Sequence, residues 1–67
     1  MKLCNRIREI RKTFKLSQAE LADRCGISTS AYGHIERNAE KSSLETLEKV
    51  ADAMGVSLTF LINVEKK

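Results

Sequence analysis

Apolar residues recur at helical spacing in four places along this chain. Leu3, Ile7, Ile10 and Phe14 form the first stripe, at the three- and four-residue intervals that return a side chain to the same helix face. Leu21, Ala22 and Cys25 share one face of a second helix, expected at about residues 18–25. Tyr32 and Ile35 make the inner face of a third, at about residues 29–37. Leu44, Leu47, Val50, Ala51 and Met54 make the buried stripe of a fourth.

Polar residues and glycines mark where these helices begin and end. Ser17 is a good N-cap, and Glu20 three residues later completes a capping box. Gly26 follows the second stripe where a sharp turn needs a residue without a Cβ. Ser28 caps the third helix, and Asn38, which tolerates the left-handed conformation, closes it. Residues 39–41 are a polar connection. Ser42 or Ser43 caps the fourth helix, with Ser42 and Glu45 fitting the capping box, and Gly55 ends it. Residues 56–63 are open to two readings. Ser57 can cap a short fifth helix with Leu58, Leu61 and Ile62 inward and Asn63 at its end. The same residues also alternate as a strand would, with Leu58, Phe60, Ile62 and Val64 on one side. The tail at residues 64–67 is expected to fray.

The pattern predicts an all-α fold, a compact bundle of four to five short helices around one core. With 67 residues the chain is expected to be one domain over residues 1–67, near the lower limit for a self-sufficient core and without room for an effector domain. Its 42% hydrophobic and 31% charged residues suit a folded rather than a disordered chain. No apolar run is long enough to span a bilayer, and the N-terminal segment is charged where a signal peptide would be apolar. No membrane contact is expected, and a cytoplasmic location is. Cys4 and Cys25 make no disulfide scaffold, and with a single histidine they make no zinc site. Cys25 is expected to be a small buried hydrophobe. No nucleophile–base pair, metal-ligand cluster or phosphate-cradling glycine loop is present. The expectation is therefore no enzyme, no metal and no cofactor.

Charge adds a partner. The net charge is only +3, but residues 1–15 carry Lys2, Arg6, Arg8, Arg11, Lys12 and Lys15 against Glu9. A basic face of this kind attracts an anionic partner, or is merely a solvated helix surface.

Residues 16–38, LSQAELADRCGISTSAYGHIERN, decide between the two. This stretch resembles the helix-turn-helix of the phage-repressor and Cro-like DNA-binding family, the xenobiotic-response-element type, with the motif at about residues 17–38. Ser-Gln opens the first motif helix, and Ala22 is the small residue where the second helix crosses it. Gly26 takes the turn. Leu21, Cys25, Ile27, Tyr32 and Ile35 are the expected apolar positions. Ile35-Glu36-Arg37-Asn38 is similar to the family's I-E-R-G ending. The resemblance runs from about Ile7 to Ile62 and favours helix over strand for residues 57–63. Two departures stand out. The family usually has Gly at Lys15, where a left-handed non-glycine residue would cost about 1 kcal/mol, and commonly Pro at Ser42.

The resemblance implies that the third helix enters the DNA major groove, where base edges distinguish all four base pairs. The candidates for base contact are Gln18, Thr29, Ser30, Gly33 and His34. Ser30 and His34 are four residues apart and project from one face. Gly33 in mid-helix is either a point of close approach to DNA or a tolerated surface glycine. The candidates for phosphate contact are Lys15, Gln18, Ser28, Arg37, Asn38, Lys41 and Ser43, with Gln18 at a helix N-terminus. Arg11 and Glu36 are expected to form a structural ion pair that sets the angle of the third helix. Tyr32 is expected inward with its hydroxyl within reach of the surface. In a helical reading of residues 58–62, Phe60 points outward as a dimer contact.

The function implied is sequence-specific double-stranded DNA binding by a small dimeric transcriptional regulator, a repressor, on the nucleoid. Its partners would be a palindromic operator with half-sites about one turn, roughly 34 Å, apart and a second copy of itself. The alternatives are an antitoxin with a toxin partner, a restriction-system controller of the same fold, and a protein-interaction module that does not bind DNA.

Overall fold

The structure is a computed structural model that describes residues 2–63; the expectation of a frayed tail at residues 64–67 lies outside the described residues. Five α-helices follow one another: α1 (Leu3–Thr13), α2 (Gln18–Cys25), α3 (Thr29–Arg37), α4 (Leu44–Met54) and α5 (Leu58–Ile62). A 3-10 turn, Ala39–Lys41, joins α3 to α4. The described residues contain no strand. Among them, no helix is long and apolar enough to cross a membrane. Residues 58–62 take the helical alternative: the Ser57 hydroxyl caps α5 by accepting from Phe60 N at 3.0 Å, and Leu61 is fully buried.

Three of the four connections are built alike. After α1, α2 and α4 a residue with positive φ reverses the chain: Lys15 (φ 60°), Gly26 (φ 76°) and Gly55 (φ 80°). The next residue is apolar and bonds back across the helix end, Leu16 N to Arg11 O, Ile27 N to Ala22 O and Val56 N to Ala51 O, each at 3.0 Å. These are the bonds of a Schellman stop, and its apolar residue normally folds back on the helix it ends. Leu16, Ile27 and Val56 all pack against the core. A serine comes next, and Ser17 and Ser28 accept from Glu20 N and Ala31 N at 3.0 Å, as Ser57 does from Phe60 N. Lys15 thus does in the first junction what glycine does in the other two.

The core takes Ile7 and Ile10 from α1, Leu21 and Ala22 from α2, Tyr32 from α3 and Ala39 from the 3-10 turn. Leu47, Val50, Ala51 and Met54 of α4 and Leu61 of α5 complete it. α3 and α4 pack on α2, and α5 lies against α1 and α4. The 3-10 turn is also tied to the start of α1. Lys2 offers no side-chain cap there, but Glu40 Oε2 accepts from Cys4 N at 3.4 Å. The Glu40 carboxyl is held below its ordinary pKa by its own backbone N–H first, then by those of Cys4 and Leu3 and by the charge of Lys2.

Several expectations need correction. Ser43 caps α4, accepting from Thr46 N at 3.1 Å. Ser42 ends the 3-10 turn, so no Ser42–Glu45 capping box forms. Leu44 is 64% exposed. On the helical wheel it lies roughly 70° from the centre of the stripe made by Leu47, Val50, Ala51 and Met54, and it starts the first turn. Phe14 is 43% exposed because α1 stops at Thr13 and Phe14 is already its C-cap. Asn38 is not left-handed (φ −111°, ψ 34°); the 3-10 turn begins at once and keeps the backbone winding. Ile35 and Cys25 are half-buried at the rim of the core rather than inside it. Burial raises the Cys25 thiol pKa, with Lys49 opposing.

Candidate functional site

Thr29, Ser30 and Ala31, the first turn of α3, are all exposed. Ser28 Oγ is committed to capping, accepting from Ala31 N at 3.0 Å. Thr29, Ser30, Ala31, His34 and Arg37 are exposed, while Tyr32, Gly33 and Glu36 are buried on the other side. The split follows from the 3.6-residue period: residues 32 and 36 face inward, and 30, 34 and 37 face out.

Beneath this face lies a single buried carboxylate. Glu36 is 1% exposed and collects donors from three helices. Arg11 Nε of α1 donates to its Oε2 at 2.9 Å, forming an ion pair. Gln18 Nε2 of α2 donates to its Oε1 at 2.6 Å. Tyr32 Oη of α3, one turn earlier, donates to Oε2 at 3.4 Å. A buried charge is tolerable when paired and hydrogen-bonded in this way. Arg11 also donates to Leu16 O at 3.1 Å, which pins the first junction to the same cluster. The Tyr32 hydroxyl is therefore not at the surface as expected. Its pKa is pushed well above the ordinary tyrosine value, by burial first and by the Glu36 charge next.

Gly33 sits beside this cluster. A Cβ built there would lie 3.3 Å from Arg37 Nη1 and 3.7 Å from Gln18 Oε1. Gly33 is covered by the side chains of Gln18 and Arg37 and is buried, so it is not the tolerated surface glycine of the second reading. Gln18, Gly33 and Arg37 are thereby brought into one patch.

The remaining candidates scatter around it. Asn38 turns its amide back on α3, donating from Nδ2 to His34 O at 2.9 Å and standing 3.4 Å from His34 Nδ1. Lys41 is exposed on the 3-10 turn and Ser43 is exposed at the start of α4. Lys15 is exposed at the first junction, and its positive φ directs it out of α1. Phe60 is 47% exposed on α5: Arg6 Nη2 donates to its carbonyl at 2.7 Å, and the guanidinium carbon stands 4.7 Å from its ring centroid. Arg6 and Arg11 are therefore engaged within the fold; of the other basic residues of the N-terminal segment, Lys2, Lys12 and Lys15 are exposed and Arg8 is half-buried.

Two members of the cluster escaped sequence reasoning. The Tyr32–Glu36 contact has a signal, because residues four apart on a helix are neighbours. The Gln18–Glu36 bond has none, since it depends on how α2 crosses α3.

Comparisons with known proteins place this geometry in context. The helix-turn-helix family model matches residues 7–61. The immunity repressor protein of Bacillus phage phi105 is 40% identical over 65 residues, 97% of this chain and 45% of that protein. The cryptic phage CTXphi transcriptional repressor RstR of Vibrio cholerae is 36% identical over 87% of this chain and 52% of its own length. The HTH-type transcriptional regulator SinR of Bacillus licheniformis is 39% identical over 87% of this chain and 53% of its own. The chain spans about half the length of these relatives.

Proposed function

This chain belongs to the helix-turn-helix family, and from that membership we propose that it binds double-stranded DNA sequence-specifically as a transcriptional repressor. The observation that carries the reading is the outward face of α3. Thr29, Ser30 and His34 stand exposed there on a helix whose inner face is fixed to α1 and α2 through Glu36. A rigid helix with unspent hydrogen-bonding groups is what major-groove reading requires. Repression is favoured by the names of two of the relatives. In this reading α3 enters the groove, and Lys15, Arg37, Lys41, Ser43 and the N-terminus of α2 at Gln18 meet phosphates. Two copies, in contact through Phe60, read a palindrome in the cytoplasm. No enzymatic step is involved.

The test is selection of bound duplexes from a random pool, followed by a salt series on the enriched sequence. An enriched palindrome whose affinity falls linearly in log–log with salt supports the reading. Binding without sequence enrichment, or no binding, overturns it.

A further inference from the structure

His34 and Asn38 are linked by two side-chain contacts at the C-terminal end of α3. The His34 backbone carbonyl can only accept. The side-chain atom of Asn38 that stands 2.9 Å from it must therefore be the amide nitrogen. The same nitrogen is 3.4 Å from His34 Nδ1. An NH2 group has two hydrogens and no acceptor capacity, so this contact is a hydrogen bond when Nδ1 offers its lone pair. In a neutral imidazole the proton is then on Nε2, the nitrogen at the outer edge of an exposed residue.

We propose that Asn38 is a positioning residue that fixes the tautomer of His34, so that α3 presents an N–H donor to a purine N7 in the major groove. The groove's acceptors are purine N7, guanine O6 and thymine O4, of which N7 is common to both purines; the exocyclic amines of adenine and cytosine are donors that this edge of His34 cannot satisfy. The inference rests on the DNA-reading function proposed above and adds which base edge His34 takes. It also assigns Asn38 a task other than a phosphate contact: its amide is spent within α3.

Two measurements test it. The first needs no DNA. Nitrogen-15 NMR of the imidazole in the free protein should show the Nε2–H tautomer for His34. In Asn38→Ala, with its folding checked by thermal melting, the Nδ1–H tautomer should become populated. A dominant Nδ1–H form in the parent, or an unchanged ratio in Asn38→Ala, overturns the assignment. The second replaces each purine of a pool-selected duplex by its 7-deaza analogue, one at a time. One replacement per half-site should weaken the parent about 5- to 10-fold, a typical single base contact, and leave His34→Ala unaffected. Equal penalties in parent and variant overturn the N7 contact. Coupling of His34 to a methylphosphonate substitution instead places it on the backbone and also overturns it. A pool without enrichment defeats the DNA reading itself, which the tautomer result separates from failure at His34.

Discussion

The side-chain nitrogen of Gln18 lies 2.6 Å from a carboxylate oxygen of Glu36. A glutamine at the first position of α2 is thus tied to the buried centre of α3 before any ligand arrives. A carboxylate only accepts, so this bond also fixes which end of the Gln18 amide faces inward. The carbonyl end and one N–H are left uncommitted by this bond, beside Gly33.

Arg11 is the charged partner in this arrangement. Arg11→Ala should cost about 2–4 kcal/mol, because Glu36 would remain buried with neutral donors only. Denaturant unfolding of the variant checks this. A midpoint and slope equal to the parent's would show that Gln18 and Tyr32 suffice.

Tyr32 makes alkaline stability sensitive to one hydroxyl. Its folded pKa lies above the unfolded value, so the folded state keeps the phenol proton where the unfolded chain has lost it. Its contribution is therefore fully present below about pH 10 and diminishes as the pH rises beyond it. Tyr32→Phe should lose about 1 kcal/mol at neutral pH and show a shallower alkaline decline than the parent. The chain has one tyrosine, so the phenolate absorbance reports this site directly. Titration at the ordinary tyrosine value in the folded protein would contradict the burial.

Lys15 occupies a conformation that a side chain resists. Lys15→Gly should relieve roughly 1–2 kcal/mol of strain and return part of it as greater freedom of the unfolded chain, for a net gain of about 0.5–1 kcal/mol. If Lys15 also meets a phosphate, the same variant should bind DNA more weakly, with the salt slope lower by about one unit. Thermal melting and a salt series separate the two effects.

Reading and holding should come apart in Ser30→Ala and Lys41→Ala. A side chain on a base edge discriminates, at about 1–3 kcal/mol per mismatch, whereas one on a phosphate attracts every sequence alike. Ser30→Ala should weaken a selected duplex more than a random one. Lys41→Ala should weaken both together and flatten the salt dependence. Equal losses for Ser30→Ala on the two duplexes would remove Ser30 from the base contacts.

Phe60 and Phe14 flank a groove between α1 and α5 that Arg6 and Glu9 also line. If this is where two copies meet, Phe60→Lys should shift sedimentation toward monomer and reduce affinity for a palindrome more than for a single half-site. Unchanged sedimentation would free Phe60 from that role.

The helices were legible because their limits are local. Ser17, Ser28 and Ser57 announce starts, Gly26 and Gly55 announce stops, and each acts within a few residues of itself. Even Lys15, at a position where the resemblance called for glycine, took the left-handed conformation that the junction demands. The choice between Ser42 and Ser43 was less legible, since both precede α4 and only the intervening turn decides which one is free to cap. Leu44 misled because periodicity marks a stripe and does not say whether a neighbour covers its edge. At the candidate site, the Arg11–Glu36 pair came from resemblance. The roles of Gln18, Tyr32 and Gly33 around it depend on α2 crossing α3, which no local pattern records.

The three alike junctions have a kinetic corollary. Each brackets a helix by bonds that span at most five residues, so the loops that must close during folding are short and their entropic cost is small. Chains dominated by such local contacts cross their folding barrier in microseconds to milliseconds. A nascent chain of this kind can commit to its helix ends as each passes, leaving the joining of Gln18, Tyr32 and Arg11 to Glu36 as the step that must wait for distant partners. Variants at the serines should then alter the refolding rate more than variants at Arg11, which should act mainly on unfolding.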